Sequence, residues 1–157
     1  MELIEIGPWK IRVDREKTNS YYQQFQGRID DCFCEDCATY VNGITQFPPA
    51  YDELFLSLGI DPAKEGEVFV IDEKQVNCKR YMGFYHFIGE ILATPASDED
   101  FYYQIEKVGN FDIGFTEEVD LVPSDFPLPI VQLVFEMDVM IHTKYEVLTR
   151  DKAAEER

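Results

Sequence analysis

From Trp9 to Asp14 the chain alternates strictly, with Trp9, Ile11 and Val13 set against Lys10, Arg12 and Asp14. That period of two predicts a short strand with one buried face. Asp14 is a good N-cap, and Thr18, Tyr21, Tyr22 and Phe25 then recur at helical spacing, which predicts a helix ending before Gly27. A loop holding Cys32, Cys34 and Cys37 follows, flanked by Asp30-Asp31 and Glu35-Asp36. A second helix is expected from about Asp36 toward Thr45, with Ala38, Val41 and Ile44 inward and Cys37 in its first turn. Pro48-Pro49 interrupts it, and Pro49 suits the first position of a third helix that carries Tyr51, Leu54, Phe55 and Leu58 on one stripe. Gly59 ends that helix, because glycine takes the left-handed conformation of a C-cap and Pro62 forbids continuation.

Beyond Pro62 the pattern changes to β-branched and aromatic residues. Residues 67–71 and 79–92 read as strands, with Gly83 and Gly89 marking bulges or close backbone approach. Residues 95–100 read as a polar turn or short helix, and 102–108 with 112–119 as two strands around Gly109-Asn110, a hairpin signal. The clearest strand follows the extended lead-in of Pro127 and Pro129, where Val131, Leu133, Phe135, Met137 and Val139 alternate with their neighbours. Helices early and strands late predict an α+β fold: an N-terminal strand and about three helices packed on one face of a mostly antiparallel sheet. Residues 1–149 read as one domain and 150–157 as a charged tail.

Composition changes this picture in two ways. Apolar residues make up 45% of the 157, with twelve Phe and nine Tyr, so the chain holds enough core material to fold despite a formal charge of −17. That charge is uneven. Residues 1–80 carry −6 and residues 81–157 carry −11, and from Tyr81 to Thr143 Lys107 is the one basic residue against twelve acids. Such a surface repels phosphate backbones and anionic membranes, which argues against nucleic-acid and membrane partners; the charge reads first as keeping the protein soluble and second as suiting a basic protein partner. With no long apolar run, no signal-peptide pattern and no Asn-x-Ser/Thr acceptor, the expected compartment is the cytoplasm, where thiols stay reduced.

Candidate chemistry is sparse. Cys32, Cys34 and Cys37 have spacing suited to a metal, and Cys78 or His86 would complete a tetrahedral zinc site. Against it, Cys78 has no paired cysteine and four acids surround the loop, raising the thiol pKa and leaving three reduced thiols as the alternative. His86 and Glu90 are the weak candidates for acid–base work; four residues apart on a strand they share a face but lie about 13 Å apart. A core or rim histidine is the competing reading. No nucleophile elbow, phosphate loop, dinucleotide fingerprint or His-Glu-x-x-His occurs. Aromatics from Tyr81 to Phe115 fall on both phases of the strands, so some must face away from the helices, toward a covering layer, a pocket or a partner.

The cysteine cluster, Leu58-Gly59-Ile60-Asp61, and Gly83-Phe84-Tyr85-His86 followed by Ile88-Gly89-Glu90 together resemble an uncharacterised family of small cytosolic bacterial proteins, mostly Gram-positive, over about residues 30–92. The resemblance implies no activity. The expected function is a non-enzymatic protein-binding module of inhibitor or immunity type, with an acidic aromatic sheet face for a basic partner. The alternative is a zinc protein using Cys32, Cys34, Cys37 and Cys78, either structural or a metal-assisted hydrolase.

Overall fold

The alternating segment at the N-terminus pairs with a strand that its own pattern does not announce. Strand β1 (Glu2–Ile6) runs antiparallel to β2 (Trp9–Val13) across the two-residue loop Gly7-Pro8, and Gly7 sits at φ 54°, a conformation that costs glycine little. The N-terminal strand expected from residues 9–14 is thus one half of a hairpin. The computed structural model describes residues 1–25, 40, 49–64, 67–75, 78–106 and 111–140.

After β2, Asp14 caps helix α1 (Arg15–Gln24) by accepting the Lys17 N–H at 3.1 Å. Helix α2 (Pro49–Leu58) follows, with Tyr51, Leu54, Phe55 and Leu58 buried and Gly59 at φ 76°. The described residues thus hold two α-helices where about three were expected; the segment 36–45 lies outside them except for Tyr40. The strands are β3 (Glu67–Gln75), β4 (Cys78–Ala93), β5 (Tyr103–Glu106), β6 (Phe111–Thr116) and β7 (Ile130–Met140), with a 3-10 turn at Asp98–Asp100. All the pairings are antiparallel, in the order β1-β2-β4-β7-β6-β5, with β3 also on β4. The β5–β6 hairpin forms as expected, although Gly109-Asn110 lies outside the described residues.

The axis of the sheet is the sixteen-residue β4, which pairs with β7 from Cys78 to Ile88. Its other edge is shared. β3 occupies it up to Phe84, and β2 takes over from Gly89. Between them the backbone of His86 and Ile88 has no neighbouring strand, and α1 supplies the missing partners. The Tyr22 hydroxyl donates to the His86 carbonyl at 2.7 Å and accepts the His86 N–H at 3.3 Å. Thr18 Oγ1 accepts the Ile88 N–H at 2.9 Å and donates to Asp14 O, while the Asp14 N–H reaches the Ile88 carbonyl at 2.8 Å. Thr18 and Tyr22, one turn apart on α1, together with the N-cap Asp14 therefore satisfy four buried backbone groups that a strand would otherwise pair.

Gly83 and Gly89 mark close approach. A Cβ at Gly83 would stand 2.4 Å from the Glu67 carbonyl oxygen, and one at Gly89 would stand 2.4 Å from that of Arg12. Register shifts lie elsewhere: between Lys10 and Ile11, where the pairing steps from Ala93 to Ile91, along β3 between Val70 and Asp72 and between Asp72 and Gln75, and in β5 between Gln104 and Glu106. Odd-numbered residues of β4, β6 and β7 form the inner face, and Tyr85, Phe87, Phe111, Phe115, Leu133 and Phe135 are fully buried there. Helix α2 lies on it, with Phe55 edge-on to Tyr85 at 4.9 Å and Tyr51 against Phe111 at 4.2 Å. The Tyr85 hydroxyl donates to Pro62 O at 2.7 Å, so Tyr40 is the donor in its short hydrogen bond to Tyr85.

Candidate functional site on the outer face of the sheet

Even-numbered residues of β4 and β7 point away from the helices, and three arrangements divide that face. At one end, Arg80 stands opposite Asp138 on β7 and forms ion pairs with Asp138 (3.1 Å), Asp112 (2.9 Å) and Glu136 (3.6 Å). Its side chain is 14% exposed, and the guanidinium's planar fork lets one cation serve several carboxylates. Those hydrogen bonds and charges outweigh the cost of burial and raise the Arg80 pKa above its usual value. Tyr102 lies beside the same group, and burial together with the Glu136 charge pushes its hydroxyl up to about 12.

In the middle, His86 and Gln132 face each other across β4 and β7 and are almost fully buried. The covering layer is the connection between β6 and β7: residues 117–129 cross this face, and Phe126 packs edge-on to His86 at 5.9 Å. Gln132 Oε1 accepts the Asp120 N–H at 2.7 Å and also bonds His86 Nε2 at 3.1 Å, so the ring donates from Nε2. The connection is pinned to the sheet through that amide. Tyr21 holds its far end, donating to Asp125 at 3.0 Å and packing on Phe126 at 4.4 Å.

Burial lowers the His86 pKa, against the opposing pull of the Gln132 bond and the Asp120 backbone and carboxylate. The unfolded chain then takes up this proton first. Stability contributed by neutral His86 is complete above the ordinary pKa of 6.5 and declines as pH falls from there toward the lower folded value. Urea titrations of the wild type and His86→Gln across that window should show a slope in the wild type that the variant lacks; parallel curves would mean that His86 titrates alike in both states.

The third arrangement is a groove of about 490 Å³ beside the connection, with Phe69, Met82, Phe84 and Val134 as its floor and Glu118 and Asp120 on its rim. Phe69 is 43% exposed, and Ile71 continues the apolar strip along β3. The aromatic residues on the second phase of the sheet thus divide between a covered part, under residues 117–129, and this uncovered one.

The residues singled out from the sequence are not drawn into one site. His86 is held by Gln132, whereas Glu90 pairs with Arg12 on β2 at 3.5 Å near the surface. Each has its own partner, and the two do not form an acid–base pair. Cys78 begins β4, half-buried, and Cys32, Cys34 and Cys37 lie outside the described residues. Cys78 and His86 are eight residues apart on one strand, about 26 Å at strand rise, so a single metal ion has room for one of them at most. Among the described residues no group of three or more His, Cys, Asp or Glu is placed to hold a metal ion, and no helix is long and apolar enough to cross a membrane.

Arg80 and Gln132 were missed by sequence reasoning. A lone arginine at the head of a strand carries no motif, and its three acids come from β6 and β7, 32 to 58 residues away. The one available signal was that Asp112, Glu136 and Asp138 break otherwise apolar strands on the outward phase. Comparison with known proteins adds nothing to this geometry: no protein-family model, no curated protein and no solved structure matches the chain.

Proposed function

We propose that the chain is a non-enzymatic protein-binding module, of inhibitor or immunity type, whose outer sheet face receives a basic protein. The observation that supports this is the groove itself: an apolar floor of Phe69, Met82, Phe84 and Val134 under the rim acids Glu118 and Asp120, in the half of the chain that carries −11. Apolar area at the centre and one sign of charge around it suit a partner of opposite charge, with the floor supplying affinity and the rim steering the encounter. Of the exposed acids Asp98, Glu99, Asp100, Glu117 and Glu118, only Glu118 lines this groove.

The test is affinity capture from the source cells, identification of what is recovered, and measurement of its Kd for the wild type, Phe69→Ser and Glu118→Lys. Both positions are exposed, so the fold should survive either change. Each is expected to weaken binding about tenfold, with the Glu118 effect shrinking at high salt, as for rim charges in general. Unchanged affinity in both variants, or recovery only of acidic partners, would sink the reading.

A further inference from the structure

A second cavity adjoins the groove at Thr116, where the Asp98–Asp100 turn and the end of β6 meet the start of β2. It measures about 350 Å³, within the range of small-molecule sites, and its wall includes Trp9, Phe101, Phe115, Asp98 and Glu117. Trp9 is 2% exposed, and its indole Nε1 is a buried donor with no hydrogen-bond partner among the described residues. Buried donors are seldom left unpaired, because the desolvation cost is then not offset. An acceptor supplied by a ligand would offset it. Phe101 and Phe115 stand edge-on to the indole at 5.6 and 5.5 Å, and Phe101, which packs on Gly114, is the half-exposed one of the three.

The rest of the wall restricts the ligand's charge. Among the described residues no Lys, Arg or His lines the cavity, whereas Asp98 and Glu117 both do, and Glu117 is held in place by accepting the Ile91 N–H at 3.0 Å. An anion is excluded by Coulomb repulsion, and the aromatic rings add attraction for a cation. We propose that this cavity binds a small organic cation that also carries a hydroxyl or carbonyl oxygen. The oxygen accepts from Trp9 Nε1, the ammonium group lies toward Asp98 and Glu117, and the carbon skeleton rests on Phe101. This site shares only Thr116 with the lining of the groove and does not depend on the protein partner.

Trp9 is the single tryptophan of the chain, so a ¹⁵N-labelled sample gives one indole N–H cross-peak. We would titrate it with choline, with tetramethylammonium, which lacks the oxygen, and with dimethylbutanol, in which carbon replaces the charged nitrogen. Choline is expected to move the peak saturably at millimolar concentration or below, with each analogue binding roughly tenfold more weakly. Combining Asp98→Asn with Glu117→Gln, which keeps an acceptor for the Ile91 N–H, should reduce choline to the level of the neutral alcohol without changing the Tm. A peak that ignores choline, or affinity for either analogue equal to that for choline, overturns the proposal.

Discussion

Arg80→Met is expected to destabilise the fold by about 3 kcal/mol, the lower end of the range for removing one partner from a buried ion pair. For a chain of this length that is a fall in Tm of about 9 °C. Methionine keeps the packing of the aliphatic stem, so the loss isolates the charge. What remains is Asp112, Glu136 and Asp138 gathered on one patch, with side chains 13 to 27% exposed and their shared cation gone. Arg80→Lys should recover about half of the loss, because a point charge repels none of the acids but lacks the fork that reaches Asp112 and Asp138 together. Urea unfolding of the three proteins checks this, and an Arg80→Met protein within about 0.5 kcal/mol of wild type would show that solvent already screens the cluster.

The helical patch on the sheet edge makes the second large prediction. Thr18→Val removes the acceptor for the Ile88 N–H while keeping the side-chain shape, and Tyr22→Phe strips the hydroxyl shared by the His86 N–H and carbonyl. Each leaves buried backbone groups unpaired and should cost about 1–3 kcal/mol. The double variant should lose less than the sum, because both changes free the same stretch of β4. Hydrogen exchange adds a local reading: the amides of His86 and Ile88 should lose protection, while that of Phe87, which faces β7, keeps it. Wild-type stability in the double variant would mean that water serves these groups as well as α1 does.

These two features differ in how far the sequence reveals them. The Asp14 cap, the apolar stripe of α2, its Gly59 terminus and the alternation of β7 rest on residues a few positions apart, and all four formed as expected. Where the expectation fell short, the deciding contact is distant. β1 was missed because Leu3 faces solvent beside Ile4, which blurs the alternation until β2 is there to pair with it. The strand expected to run on to Val119 stops at Thr116, because Glu117 and Glu118 begin the connection that turns back across the outer face. His86 read as a core or rim residue ahead of a catalyst, without a partner to decide which. Its burial against Gln132 comes from 46 residues downstream.

The sequence by itself determined the class of fold, its acidic second half and the positions of most strands and of the helices among the described residues, because periodicity, caps and net charge are local or summed properties that need no partner. The tertiary structure alone decided which edge of β4 needed a helix in place of a strand, which acids Arg80 gathers, which part of the outer face residues 117–129 cover, and that the Trp9 indole meets no acceptor among the described residues. Each of these depends on strands brought together across the chain, where register and twist set distances that spacing along one segment does not encode.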